Sequence, residues 1–246
     1  MKHIALVTGA TQGLGYAIAE RLLAAGFRVA LTGRNLQGAQ KVAAELDPTE
    51  DAAMGLALDT RNKADFEDAL AAVQARWGAL HVVVNNAAIT QSTPVMQISQ
   101  EEFDDVIAVN QRGTFFSCQV FGAHMAEAGY GRIINMTSLA GQNGGTSTGA
   151  HYAASKGAII TLTKVFAKEL AARGVTVNAI APGPIDSPMV HALVSGERLD
   201  ALTAGIPVRH LGNAQFIGEL VVQLARPEAD FTTGATWDVN GGLYMR

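Results

Sequence analysis

Residues 3–23 read His3-Ile4-Ala5-Leu6-Val7-Thr8-Gly9-Ala10-Thr11-Gln12-Gly13-Leu14-Gly15-Tyr16-Ala17-Ile18-Ala19-Glu20-Arg21-Leu22-Leu23, and this stretch decides the fold class. His3 to Thr8 is a short β-rich run, the glycines that follow mark a turn, and Ile18, Leu22 and Leu23 fall at helical spacing. The order is strand, glycine turn, helix. Glycines there allow positive φ and let an anion approach the helix N-terminus, whose unpaired N–H groups favour negative charge. Gly9, Thr11, Gln12, Gly13, Leu14 and Gly15 are therefore candidate binders of a dinucleotide pyrophosphate. Their spacing, Gly-x-x-x-Gly-x-Gly, differs from the Gly-x-Gly-x-x-Gly fingerprint, and a plain tight turn serving helix–strand packing is the alternative.

Outward from this unit the alternation continues. Arg28 to Thr32, Ala53 to Leu58, His81 to Val84, Arg132 to Met136, Val175 to Ile180 and Ala235 to Val239 read as strands. Leu36 to Leu46, Ala64 to Trp77 and Phe216 to Leu224 read as helices. Ser99-x-x-Glu102 forms a capping box, after which Phe103, Val106, Ile107, Asn110 and Thr114 lie on one stripe of a long helix. The pattern predicts βαβ crossovers and a parallel α/β sheet, and the continuous apolar run at His81 to Val84 suits a central strand covered on both faces. No composition break divides the chain, so one domain over residues 1–246 is expected, with Pro182 to Pro207 the stretch least fixed by periodicity.

A chain of 246 residues with 48% hydrophobic content can bury one substantial core. The net charge of −4 and the pI near 5.8 supply no basic field for nucleic acid. Cys118 is the single cysteine, which excludes an internal disulfide and suits a reducing compartment, and no metal site is expected. With no signal-peptide pattern after Met1 and no apolar run of spanning length, a soluble cytoplasmic protein with no membrane partner is expected.

The second candidate stretch is Tyr152-Ala153-Ala154-Ser155-Lys156, which opens an apolar helical run through Ile159, Ile160, Leu162, Val165, Phe166 and Leu170. Tyr152 and Lys156 should share a helix face, where an ammonium near the phenol favours phenolate. A free tyrosine titrates near pH ~10, so reaching neutrality requires about 4 kcal/mol of differential stabilisation. Lysine supplies part of that, and a cationic cofactor ring more. Other candidates are Asn85-Asn86 after an apolar strand, Asn110, and Ser138 ahead of the loop from Gly141 to Gly149. At the end of the second strand Thr32-Gly33-Arg34-Asn35 contains no carboxylate for a ribose 2′-hydroxyl, and Arg34 favours a 2′-phosphate, hence NADP over NAD. Asp59 after the third strand is placed for an adenine amino group or, equally, for a helix N-cap.

The glycine turn, Asn85-Asn86-Ala87-Ala88, Asn110, Ser138 and Tyr152-x-x-x-Lys156, in this order and at these separations, resemble the short-chain dehydrogenase/reductase family over essentially the whole length. The resemblance implies a doubly wound, single-domain Rossmann fold around a seven-stranded parallel sheet. It makes Asn110, Ser138, Tyr152 and Lys156 the catalytic four, with Pro182-Gly183-Pro184-Ile185 passing the nicotinamide and Asn86, Pro182, Gly183 and Ile185 joining Tyr152 and Lys156 in contact with the cofactor. Of the hydroxyls at Thr137 and Ser138, the second matches the family pattern. Tyr152 would give or take the proton, Ser138 would hold the carbonyl oxygen, Lys156 would bind ribose hydroxyls, and Asn110 would hold a water that refills the proton. Ala88 departs from the family's usual Asn-Ala-Gly, which puts a Cβ where glycine's freedom is normally used.

Within the family the likeness is greatest to 3-oxoacyl thioester reductases, through Asn86-Ala87-Ala88-Ile89-Thr90, Ile206-Pro207-Val208-Arg209-His210-Leu211-Gly212 and Val239-Asn240-Gly241-Gly242-Leu243-Tyr244-Met245. An NADPH-dependent ketoreductase follows from that likeness, with a small-alcohol or cyclic-ketone dehydrogenase as the runner-up and a non-catalytic dinucleotide-binding protein as the third reading. Gln142, Asn143, His151 and Pro184 to Met189 are candidate substrate linings. A homotetramer is expected, pairing the helices from Gln100 and after Tyr152. Carrier-protein reductases present arginines just before the strand at Arg132 and at the end of the Tyr152 helix. Arg173 fills the second place, whereas Met125-Ala126-Glu127-Ala128-Gly129-Tyr130-Gly131 has a carboxylate and no base, so a coenzyme A thioester or small ester is expected rather than an acyl carrier protein.

Overall fold

The computed structural model describes residues 2–145, 148–187, 190–191, 194 and 196–246. Its strands are β1 Ile4–Val7, β2 Arg28–Gly33, β3 Ala53–Ala57, β4 Val82–Asn85, β5 Gly131–Met136, β6 Val175–Pro182 and β7 Thr236–Val239. They form one seven-stranded sheet in the order β3-β2-β1-β4-β5-β6-β7, with every neighbouring pair parallel. The helices are α1 Gly13–Ala24, α2 Leu36–Leu46, α3 Lys63–Trp77, α4 Gln100–Val106, α5 Gly113–Ala128, the short α6 Ala140–Asn143, α7 Ala150–Leu170, α8 Glu197–Gly205 and α9 Ala214–Ala225. This is the doubly wound α/β architecture. The chain winds outward from β1 to β3 and then returns to β4, so the strand order reverses between β1 and β4. In such sheets the crevice beyond the strand carboxyl ends at the reversal is where ligands bind.

The apolar runs are continuous because both sheet faces are covered. On one face Ala5, Val7, Val82 and Val84 pack with Ile18 and Leu22 of α1 and Ile217 and Val221 of α9. On the other, Ile4, Leu6 and Val83 pack with Phe66 of α3, Phe121 and Met125 of α5 and Leu170 of α7. The period-two alternation along β1 thus sends successive side chains into different cores.

Three local expectations change. The predicted long helix from Ser99 is broken: α4 gives way to a π-helical segment, Ile107–Arg112, before α5 starts. The apolar stripe reads through such a segment because one wider turn barely alters the periodicity. Only half of the capping box forms. Ser99 Oγ accepts the Glu102 N–H at 3.1 Å, but the Glu102 carboxylate turns to His151 Nε2 at 2.9 Å instead of closing back on Ser99. Finally, Pro182 to Pro207 contains α8, while its residues 188, 189, 192, 193 and 195 lie outside the described residues. Among the described residues no helix is long and apolar enough to cross a membrane, and no cluster of His, Cys, Asp and Glu is arranged to hold a metal.

Candidate active site

The loops that leave β1 and β4 at the reversal are stapled together. Thr8 Oγ1 accepts the N–H groups of Asn86 and Ala87, each at 3.0 Å, and Asn86 Nδ2 donates to the carbonyls of Thr8 and Gly9, each at 3.0 Å. The first turn of α1 packs into this staple at Gly15, where a Cβ would lie 2.4 Å from Gly9 O and 2.5 Å from Asn86 Nδ2. Gly13 is different: its φ is +58°, and a Cβ there would meet nothing within 4 Å. α1 starts at Gly13 with no side-chain cap from Gln12 and no acidic residue in its first turn. Its free N–H groups and the positive end of its dipole are thereby left for an anion.

A cavity of about 360 Å³ lies over this turn. The glycine-turn residues Gly9, Thr11, Gln12, Gly13, Leu14 and Gly15 line it, as do Arg34, Asp59, Asn86, Tyr152, Lys156, Pro182, Gly183 and Ile185. Ser138 joins Tyr152 and Lys156 there. Arg34 is exposed at the end of β2, so one end of the cavity carries a free-standing cation and the other the Ser138, Tyr152 and Lys156 group.

Lys156 is 3% exposed, and its Nζ donates to Met136 O at 2.7 Å while standing 5.6 Å from the Tyr152 ring centroid. Burial brings the Lys156 ammonium down to about 8 and pushes the Tyr152 phenol above its ordinary value, with the nearby Ser138 hydroxyl pulling the phenol part of the way back. In the free protein, burial is the larger influence on Tyr152, and Lys156 is not among the groups that shift its phenol. The ammonium lies toward the ring and a main-chain carbonyl. The two adjacent hydroxyls are also sorted: Thr137 Oγ1 donates to Lys156 O at 2.6 Å and so fastens β5 to α7, whereas Ser138 stays on the cavity side with Tyr152.

Asn110 does not line the cavity. It is fully buried in the π-helical segment, its Oδ1 accepts Ile89 N–H at 2.9 Å, and its Nδ2 donates to Ile89 O at 2.9 Å and Ser155 Oγ at 3.1 Å. Ser155 Oγ in turn donates to Tyr152 O at 2.7 Å. Asn110 thus ties the cavity-lining loop at Ile89 to the first turns of α7. Ala88 sits in that loop without strain, because Glu50 and Arg209 are the non-glycine residues with positive φ among those described. Asp59 is no helix cap either: the N-cap of α3 is Asn62, and Asp59 is engaged by Arg61.

The expected substrate linings fare differently. Gln142 is drawn away to Asp238 at 2.6 Å, Asn143 accepts from Gly145 N–H at 2.9 Å, and His151 is buried against Glu102. Ile185 and Ser187 do line the cavity, joined by Ile89 and Val190, while Pro188 and Met189 lie outside the described residues. Thr8 and Ser155 hold the site together without being among the residues the sequence singles out. Their signal was only adjacency, Thr8 to the glycine turn and Ser155 to Lys156.

Fold and site together define a short-chain dehydrogenase/reductase, and the chain belongs to that family: residues 9–244 match the family described as Enoyl-(Acyl carrier protein) reductase. It is an oxidoreductase acting on CH–OH or ketone groups. It is 40% identical to the 3-oxoacyl-[acyl-carrier-protein] reductase FabG of Escherichia coli (strain K12), with 98% of this chain and 97% of that protein aligned. The same identity and coverage hold for FabG of Vibrio cholerae, and sorbitol dehydrogenase of Cereibacter sphaeroides is 36% identical over 98% of this chain and 97% of its own.

Proposed function

We propose that the chain, as one catalytic domain over residues 1–246, is an NADPH-dependent reductase of 3-oxoacyl thioesters or 3-oxo esters. The observation that carries this reading is the two-ended cavity, with an uncapped helix N-terminus and Arg34 at one end and Ser138, Tyr152 and Lys156 at the other. Gly9 to Gly15 suit a pyrophosphate, the open space in front of Gly13 leaves room for its oxygens, and Arg34 suits a 2′-phosphate. Lys156 would hold ribose hydroxyls, and Asn86, Pro182, Gly183 and Ile185 would line the nicotinamide side.

Bound there, the reduced nicotinamide supplies a hydride to the carbonyl carbon. Ser138 donates to the carbonyl oxygen, where negative charge develops, and Tyr152 delivers its hydroxyl proton to the same oxygen. Asn110 fixes the Ile89 loop and, through Ser155, the start of α7, and in this reading it also stands on the route by which water restores the Tyr152 proton. Run backwards, Tyr152 is the base.

The acyl group is carried on coenzyme A or a small ester in this reading, and not on a carrier protein. Two features support that: Glu127 precedes β5 with no arginine, and Arg173 shares its charge with Glu169 at 3.7 Å. The relatives named as carrier-protein reductases argue the other way. The test measures kcat/KM with NADPH and with NADH for acetoacetyl-CoA, an acetoacetyl carrier protein and ethyl acetoacetate at low and moderate salt. NADPH and the coenzyme A thioester should win. A carrier-protein preference that fades with salt overturns the carrier assignment, and equal indifference to all three with turnover of sorbitol supports the alternative of a small-alcohol dehydrogenase, which the sorbitol dehydrogenase likeness favours.

A homotetramer is proposed with it. Phe103 of α4, Phe115 of α5 and Val165 of α7 are exposed by 43%, 37% and 55%, an apolar surface on the helices expected to pair. Light scattering should give a multiple of the 25.7 kDa chain mass, and a monomer at micromolar concentration would end the idea.

A further inference from the structure

Asp59 presents a carboxylate at the same end of the cavity as Arg34, and Arg34 is close enough to help hold that carboxyl below its ordinary range, after the larger effect of Arg61. An open carboxylate there would accept from adenosine hydroxyls and amines and would repel a 2′-phosphate. Asp59 is not open. Its Oδ1 accepts the Arg61 main-chain N–H and Nε, both at 3.0 Å, and its Oδ2 accepts Nη2 at 2.5 Å and Nε at 3.1 Å. A carboxylate has about four acceptor positions, and three Arg61 N–H groups, with Nε shared between the two oxygens, take most of them while the Asp59 side chain stays 23% exposed. The same guanidinium reaches Asp105 of α4 through Nη1 at 3.2 Å, and the intervening Thr60 donates to Val109 O at 3.2 Å. The fork is thus held from both sides of the loop after β3.

Resting on the NADPH reading above, we infer that Arg61 is a specificity-determining residue: by occupying and neutralising Asp59 it leaves Arg34 as the uncompensated charge that meets a 2′-phosphate. The planar fork matters as well as the charge, since an ammonium is a point charge without the fixed bidentate geometry by which one guanidinium holds Asp59 and reaches Asp105 as well.

The test uses calorimetric binding of 2′,5′-ADP and of 5′-AMP, which report the phosphate contribution without turnover. For Arg61→Ala the preference for 2′,5′-ADP over 5′-AMP should fall about tenfold at low salt, and less at high salt, as an unmasked charge near a phosphate dictates. Arg61→Lys should fall between, and Asp59→Asn added to Arg61→Ala should restore the preference, since no carboxylate remains to unmask. Asp105→Asn, which removes only the half-exposed partner, should change it little. An unchanged ratio in Arg61→Ala, or an equal loss of both ligands, overturns the inference. A wild type that binds 5′-AMP more tightly defeats the NADPH reading instead, and a ratio that still falls in Arg61→Ala would then uphold the Arg61–Asp59 coupling on its own.

Discussion

Replacing Tyr152 by phenylalanine should lower turnover by about a hundredfold or more, while the dissociation constant for NADPH stays within about twofold. The ring would keep its packing against Lys156, whose Nζ stands over it at 5.6 Å, and the loss is confined to one hydroxyl. That hydroxyl lines the cavity with Ser138, and burial raises its pKa further above the ordinary tyrosine value, so it is protonated in the free protein near neutral pH. A phenol held in its neutral form is a proton donor waiting for an oxyanion, which is what carbonyl reduction requires. Steady-state kinetics and fluorescence titration of NADPH read the two quantities separately. A variant that keeps more than about a hundredth of wild-type turnover removes Tyr152 from the acid role, and one that also loses NADPH affinity shows that the hydroxyl serves binding.

Lys156→Met should abolish most turnover and yet stabilise the free protein near neutral pH. The ammonium is 3% exposed, its one recorded hydrogen bond is to Met136 O, and burial lowers its pKa from 10.5 to about 8. A difference of that size between folded and unfolded chains corresponds to roughly 3 kcal/mol of destabilisation, from which about 1 kcal/mol is offset when the variant leaves Met136 O without its donor. The sign follows from proton binding. Below the folded value of about 8 both states hold the proton and the penalty is present in full. As pH rises from about 8 towards 10.5 the folded chain sheds its proton first and the wild type recovers stability. Denaturant melts of both proteins at pH 7 and pH 10 should therefore show the variant ahead by about 2 kcal/mol at the lower pH and close to the wild type at the higher. A variant less stable at both values would mean that Lys156 is held by interactions that repay its burial. In the proposed complex the buried cation is offset by ribose oxygens, so the same residue would be a liability to the empty fold and an asset to the loaded one.

The amino-acid sequence by itself determined the parallel α/β class and the separations that put the glycine turn, Asn86, Ser138, Tyr152 and Lys156 within reach of one cavity. The strand, turn and helix and the pairing of Tyr152 with Lys156 are local, following from side-chain period, glycine placement and the four-residue spacing of one helix face, whereas it was the family resemblance that brought Asn86 and Ser138 to them. The tertiary structure alone decided the rest. That Thr137 rather than Ser138 is consumed by α7, that Asn110 serves Ile89 and Ser155 from a π-helical segment, and that Gln142 turns to Asp238 all depend on partners 19 to 96 residues away. Arg61 is only two residues from Asp59, yet its importance also rests on tertiary structure, because the pair matters only where Arg34 and the cavity mouth come beside it. The direction of the Tyr152 and Lys156 shifts was equally out of reach, since it turns on burial, and burial is a property of the packed chain.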